Sequence, residues 1–175
     1  MLNEVSTLAG YGGDGEKQED GGYVDGEGVN ARFLYPDGLT VDRDGNIIVC
    51  DYGASCIRKV TPQGVVTTLV GEPGDDDYED GDRVNARLSR PEGVAMDNTG
   101  NVIVADGDNH CIRKVTPQGV VTTLAGGPED YGKIDGEGSN ANFNCPSAVA
   151  VDGDGNIIVA DCGNHCIRKV TPQGV

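Results

Sequence analysis

A chain of 175 residues is long enough for one ordinary domain, and its formal net charge of −16 argues against nucleic acid or an anionic membrane as a partner, because phosphate binding requires a basic surface. Only 37% of the residues are hydrophobic, but the 28 glycines recur at fixed positions, which indicates turns in a strand-rich fold rather than disorder. The N-terminal sequence MLNEVSTLAG has no basic region and no sustained apolar run, so neither a signal peptide nor a membrane span is predicted, and a cytoplasmic location is expected.

Internal repetition dominates the chain. The segments GNIIVCD, GNVIVAD and GNIIVAD begin at Gly45, Gly100 and Gly155, so the period is 55 residues. The decapeptide CIRKVTPQGV recurs with the same period at residues 56–65, 111–120 and 166–175. The near identity of the copies suggests recent duplication or deliberate design. No boundary between separate domains is visible.

Each repeat predicts four short antiparallel strands. In the second repeat the first strand is GVAMD, which follows a Pro that suits a strand start, and the turn NTGN contains Gly and Asn, which tolerate positive φ. The second strand, VIVA, is a β-branched run typical of a strand covered on both faces. CIRKV, the turn TPQG and VVTTLA complete the unit. Four antiparallel strands per unit without a helix pattern indicate a radial or stacked β architecture.

The combined pattern P-x-G-x-x-V-D-x-x-G-N-x-x-V-A-D-x-x-N-H-x-I-R-K-V-T-P-x-G resembles the NHL repeat, and the resemblance covers essentially the whole chain. It implies an all-β fold, a β-propeller with one four-stranded blade per repeat and usually six blades in total. The three blades expected in this chain span residues 11–71, 72–126 and 127–175.

This chain departs from the family pattern at three places. Ala54 and Ser55 replace the Asn-His pair in the first blade, and Ser147-Ala148 stands where the other blades place a residue followed by Gly38 or Gly93. Cys replaces the Leu for which the repeat is partly named. These changes leave the expected fold intact and weaken any function inferred from the motif.

The segment VSTLAG at residues 5–10 predicts how the ring closes. It is a close copy of the fourth strand, VTTLVG or VTTLAG, and the third decapeptide is not followed by such a strand. Three blades are too few for a closed ring, so a homodimer of six blades is predicted, in which residues 1–10 complete the third blade of the partner. A fragment of a longer propeller and a nine-bladed trimer are the alternatives. The predicted interface contains Val5, Ser6, Thr7, Leu8, Ala9, Cys166, Ile167, Arg168, Lys169 and Val170.

Acidic residues concentrate in the loops between the blades, which predicts one strongly negative face. This face could dock a basic protein or cations, or it could serve as a solvated surface. The acidic residues in question are Asp14, Glu16, Glu19, Asp20, Asp25, Glu27, Asp75, Asp76, Asp77, Glu79, Asp80, Asp82, Glu129, Asp130, Asp135 and Glu137.

Three repeated positions carry side chains that could take part in chemistry. Asp51, Asp106 and Asp161 end the second strands, where they could accept backbone hydrogen bonds from the next turn or ring a cation near the channel. The only histidines, His110 and His165, share one repeat position, which favours packing or hydrogen bonding over catalysis. Each strand CIRKV contains an Arg-Lys pair. One member is expected to reach a neighbouring blade's carboxylate and the other to reach solvent.

The sequence therefore predicts a non-enzymatic scaffold, or a structural or model repeat protein, that assembles with itself and has no cofactor. The six cysteines are expected to be reduced and structural, because no secretory signal accompanies them. The alternative is a calcium- or zinc-dependent propeller enzyme, or a small-ligand binder, that uses the central channel. Near-identical blades offer no specialised set of ligands and no nucleophile–base pair for such an enzyme.

Overall fold

A computed structural model of the chain describes residues 3–12 and 22–172. The described chain is all-β and forms two five-stranded antiparallel sheets and one three-stranded sheet. The strands are β1 (Gly26–Glu27), β2 (Pro36–Val41), β3 (Ile47–Asp51), β4 (Cys56–Val60), β5 (Val65–Val70), β6 (Gly81–Asp82), β7 (Pro91–Met96), β8 (Val102–Asp106), β9 (Cys111–Val115), β10 (Val120–Gly126), β11 (Pro146–Val151), β12 (Ile157–Asp161) and β13 (Cys166–Val170). Short 3-10 helices lie at Gly28–Asn30, Tyr52–Ala54, Arg83–Asn85, Gly138–Asn140 and Cys162–Asn164. Within these ranges no helix is long and apolar enough to cross a membrane.

The strand order confirms the antiparallel units expected from the repeats. The first sheet has the order β1-β5-β4-β3-β2, the second repeats it as β6-β10-β9-β8-β7, and the third contains β11-β12-β13. The prediction of four strands per unit missed β1 and β6. β1 pairs only two residues with β5, for example Gly26 with Val66, and β6 pairs only two with β10, the fourth strands of the predicted units. Two residues are too few for a hydrophobic period to show.

Aspartates close the turns that join β2 to β3, β7 to β8 and β11 to β12. The carboxylate of Asp42 accepts the N–H groups of Asp44 and Asn46 at 2.9 and 2.8 Å. The amide of Asn46 donates to its other oxygen at 2.8 Å. Gly45, which lies between Asp44 and Asn46, has a φ of +82°, in the left-handed region that glycine tolerates. The turns therefore have the hairpin role that the Gly-Asn signal predicts.

The core lies between the sheets, which pack in a row. One cluster joins the first sheet to the second, with Ile57 and Val70 packed against Leu88 and Val104. A second cluster joins the second sheet to the third, through residues such as Ile112 and Phe143. The second sheet contributes branched side chains to both layers, as its continuous apolar run predicts. The first and third sheets therefore form the two ends of the row.

Candidate functional site

The third copy of the strand CIRKV is open on the edge where the first two copies are covered. β4 pairs with β5 and β9 pairs with β10, whereas among the described residues β13 pairs only with β12. Ile57 and Ile112 also lie under the following sheet and are fully buried, while their counterpart Ile167, which has neither a fourth strand nor a following sheet beside it in the described chain, is 72% exposed. The three copies of one sequence thus show the combined effect of these two neighbours on the same residue.

A groove of about 610 Å³ runs along this open edge. β13 forms one wall, and Phe143 and Ala141 contribute apolar surface. Asp135, Gly136 and Glu137 form an acidic rim. In the second sheet, β10 occupies the corresponding space beside β9. The groove therefore has the position of one β-strand.

A repeated carboxylate at the rim recognises the fourth strand in the two complete sheets. Asp25 accepts the backbone N–H of Thr68 at 3.0 Å and its hydroxyl at 3.1 Å. Asp80 accepts the same two groups of Thr123 at 3.1 and 3.0 Å. Asp135 bonds the side chain of Arg168, but its own side chain is 95% exposed, against 48% for Asp25 and for Asp80.

The prediction of an acidic face, either docking or solvated, did not include the contacts of Asp25 and Asp80 with the fourth strand. The signal that could have identified them is their spacing, because Asp25, Asp80 and Asp135 keep the 55-residue period inside loops that otherwise vary. The predicted acidic residues Asp14, Glu16, Glu19 and Asp20 lie outside the described residues.

A buried ion pair supports each strand CIRKV. The guanidinium of Arg58 lies 2.8 Å from Asp51 and 2.7 Å from Asp25, and the side chains of Arg58 and Asp51 are fully buried. Arg113 repeats the arrangement at 2.7 Å from Asp106 and 2.9 Å from Asp80. The prediction that one cation reaches a neighbouring blade's carboxylate was wrong, since each arginine pairs with carboxylates of its own repeat.

The aspartates at the ends of the second strands, predicted as hydrogen-bond acceptors or candidate cation ligands, are engaged in this network. Asp51 accepts the backbone N–H of Leu34 at 2.6 Å, and Asp161 accepts that of Asn144 at 2.8 Å. The donors precede the first strand of the same sheet, so the predicted bond to the next turn was wrong in its direction along the chain. Arginine supplies the positive charge beside each carboxylate. No cluster of three metal-binding side chains occurs in residues 3–12 and 22–172.

The second of these carboxylates is fully enclosed. Burial raises the pKa of Asp106 to about 6, against the lowering effect of Arg113, Asn109 and the N–H of Ser89. The guanidinium of Arg113, 2.7 Å away, favours the ionised form of this carboxylate.

The histidine position of the repeat links neighbouring sheets. The Nδ1 atom of His110 accepts the backbone N–H of Cys145 in the third sheet region at 3.1 Å. Ser55, which replaces histidine in the first repeat, accepts the N–H of Arg90 at 3.3 Å. The third member, His165, lies at the open end of the row. The hydrogen-bonding role predicted for this position thus fits His110.

The N-terminal segment 5–10 lies beside the first sheet. The N–H of Gly10 donates to Gly28 at 3.0 Å, as the N–H of Gly71 donates to Arg83 one repeat later. Ala9 packs against the first sheet's own apolar cluster, as Val70 packs against the second. The segment has the position of a fourth strand that precedes the first sheet, at the opposite end of the row from β13. Val5 within it is 98% exposed.

Stacked antiparallel sheets with one repeat register place this chain in the class of β-propeller proteins. The NHL repeat model matches residues 88–115 and 143–170, and the model of the SMP-30/Gluconolactonase/LRE-like region matches residues 12–77. The chain belongs to the NHL-repeat family, as the sequence pattern predicted.

Known proteins are similar to this chain in sequence and in structure. NHL repeat-containing protein 2 of Bos taurus is 34% identical over 79% of this chain, which spans 21% of that relative. The crystal structure of a Bacteroides thetaiotaomicron protein of unknown function matches this chain with a TM-score of 0.69 and 32% sequence identity. The match covers 75% of this chain and 34% of that one. An auxiliary nutrient binding protein of Bacteroides ovatus is 26% identical with a TM-score of 0.70, over 81% and 38%. The chain thus spans about a fifth of the length of NHL repeat-containing protein 2.

Some structures of the same fold are enzymes. A gluconolactonase of Xanthomonas campestris has a TM-score of 0.60 at 15% identity, over 82% of this chain and 46% of that one. At this identity the likeness concerns the fold alone.

Proposed function

We propose that the chain is a non-enzymatic β-propeller scaffold that closes into a six-bladed ring with a second copy of itself. The observation that carries the proposal is the contrast between Ile57 and Ile112, which are fully buried, and Ile167, which is 72% exposed on the same strand sequence. An unpaired strand edge beside apolar surface favours association, because a further strand would satisfy its backbone groups and remove its side chains from water.

The proposed occupant of the groove is the N-terminal segment of the second copy. β4 and β5 supply the register, since Ile57 pairs with Val70 and Arg58 with Thr68. Transferred to the open sheet, this register pairs Ile167 with the partner's Ala9 and Arg168 with the partner's Thr7. The exchange would occur twice in a symmetric dimer, once at each junction.

The rim carboxylate gives this exchange its specificity. Thr7 has the same place in VSTLAG that Thr68 and Thr123 have in the fourth strands. In the closed ring the N–H and hydroxyl of the partner's Thr7 would therefore donate to Asp135, and both bonds would be charge-assisted. This contact would bring the exposure of Asp135 toward that of Asp25 and Asp80.

Light scattering behind a sizing column tests the proposal. A homodimer predicts twice the chain mass of 18.2 kDa. A mass of three chains would favour the nine-bladed trimer. A monomer at all accessible concentrations would contradict ring closure, since the groove would then remain unoccupied in solution.

A second candidate is a calcium- or zinc-dependent enzyme, or a small-ligand binder, that uses the central channel. The match of residues 12–77 to the SMP-30/Gluconolactonase/LRE-like region favours it. Metal analysis of the purified protein distinguishes the two candidates. Bound calcium or zinc with metal-dependent activity would support the enzyme, and an unchanged fold and mass after chelation would support the scaffold.

The acidic loops are a further proposed docking surface for a basic protein or for cations. The net charge of −16 supports this proposal. Part of the acidity is used within the chain, because Asp75 binds Arg87 at 2.6 Å. Binding of a cationic peptide that disappears with added salt would be the expected result, and its absence at low salt would contradict the surface.

A further inference from the structure

Neighbouring sheets approach most closely along their first strands, β2, β7 and β11. A Cβ atom added to Gly38 would lie 2.2 Å from the carbonyl oxygen of Glu92. One added to Gly93 would lie 2.6 Å from the Cα of Ala148 and 2.8 Å from the oxygen of Ser147. The nearest atoms are backbone atoms in both cases, so they cannot move aside as the end of a flexible side chain could. The two junctions inside the chain therefore require glycine for close approach.

The third sheet has Ala148 where the first two have glycine. The registers agree, because Gly93 pairs with Ala105 and Ala148 with Ala160 one repeat later. In the described chain no sheet follows the third, so Ala148 is exposed.

Ring closure would change this surrounding. The partner's β2 would lie against β11, as β7 lies against β2 and β11 against β7 within the chain. The carbonyl of the partner's Asp37 would then correspond to those of Glu92 and Ser147. If the new junction copied the internal ones, the methyl group of Ala148 would meet this backbone at a distance that carbon atoms do not tolerate.

We propose that Ala148 limits the affinity of self-assembly. Its methyl group keeps β11 further from the partner's β2 than β2 is from β7, or β7 from β11, inside each chain. The inference rests on the proposed ring closure. An additional methyl group in a close-packed contact forces backbone displacement and costs packing energy. Because the closed dimer contains two such junctions, the methyl group acts twice, and its removal strengthens the dimer at both places.

The test is the substitution Ala148→Gly, with Ala150→Gly as its matched control. Ala150 lies two residues further along β11, and its counterparts Ala95 and Thr40 carry Cβ atoms at the internal junctions. Both substitutions exchange alanine for glycine in the same strand, so both lose the same backbone preference. Only Ala148→Gly removes a methyl group that the junction excludes.

The measurement is the dimer dissociation constant from sedimentation equilibrium, together with the rate of subunit exchange between two differently labelled samples. Ala148→Gly is expected to lower the dissociation constant at least tenfold and to slow exchange correspondingly. Ala150→Gly is expected to leave both unchanged or to weaken the dimer. The exchange rate keeps the test decisive if the wild-type dimer is too tight for equilibrium measurement.

The outcomes separate this inference from the proposed function. A dimer whose affinity and exchange rate are unchanged by Ala148→Gly would overturn the role of Ala148 and leave ring closure standing. A wild-type chain and variants that are all monomeric would overturn both. A thermal melt of each variant checks that the three sheets remain folded.

Discussion

At the residue scale, the arginines of the three repeats differ in burial, and the stability that each ion pair contributes is expected to differ with it. Arg58 and Arg113 are fully buried, and each lies between a buried and a half-exposed carboxylate. Arg168 has the same neighbours in sequence, but its side chain keeps 10% exposure. The alternation of a strand predicts that Arg and Lys point to opposite faces, yet it cannot tell which face packs against the repeat's own loop.

Removal of Asp106 should cost far more stability than removal of its counterpart Asp161. Asp106→Ala leaves Arg113 buried without its main counter-charge, and a loss of about 3–5 kcal/mol in the free energy of unfolding is expected. Asp161→Ala should cost less, because Arg168 keeps contact with water while the chain is monomeric. Urea unfolding at low protein concentration measures both losses. Equal losses would contradict the role assigned to burial.

Thiol reactivity should report the state of the open edge. Burial raises the pKa of Cys56 to about 12 and that of Cys111 well above its usual value, so both thiols should resist a chromogenic reagent at pH 8. Cys166 has the same repeat position but is partly exposed. It should react when the chain is dilute and become protected as the dimer forms.

The labelling requires a background without the other accessible thiols, Cys145 and Cys162. Both are replaced by Ser, and the same chain with Cys166→Ser serves as the blank. Reactivity of Cys166 that is independent of protein concentration would count against a partner strand on β13.

At the element scale, the strands with strong apolar runs were predictable and the polar additions were not. The second, third and fourth strands of the complete sheets lie where the repeats place them. β1 and β6 escaped prediction because each consists of one Gly and one acidic residue, and each is defined by its pairing with β5 or β10 rather than by an apolar pattern. The open groove was predictable in position from the displaced VSTLAG. Its carboxylate rim depends on contacts across 43 residues of chain, which no local pattern reveals.

Deletion of residues 1–10 should weaken or abolish the dimer. The deletion removes the strand proposed to pair with β13, including the partner's Thr7 at Asp135. Deletion of residues 1–3 alone keeps the strand and is the matched control. Sedimentation equilibrium of both truncations measures the effect, and equally tight dimers would show that strand exchange is not the basis of assembly.

At the scale of the whole molecule, the all-β architecture follows from the repeats, whereas the balance between assembly and repulsion does not. Each chain has a net charge of −16, and two such chains repel one another. The close approach at Gly38 and Gly93 was also hidden in the sequence, because glycine there reports a backbone contact between repeats rather than a turn.

Salt should therefore tighten the dimer. The distance over which charges act falls from roughly 30 Å at 0.01 M salt to about 8 Å at 0.15 M. Screening of the repulsion between two acidic chains should lower the dissociation constant over this range, as measured by sedimentation. A dimer that weakens with salt would instead indicate that attractive ion pairs dominate the interface.

The position of residues 5–10 ahead of the first sheet has a consequence for connectivity. If Val5 followed Val175 directly, the joined sequence CIRKVTPQGVVSTLAG would continue the repeat without insertion or gap. In two copies fused in this way, one of the two junctions would lie within a single chain. The other junction would then close intramolecularly, and its closure would depend on the effective concentration of the two ends instead of on the protein concentration. Dilution, which dissociates two separate chains, would leave such a fused ring closed.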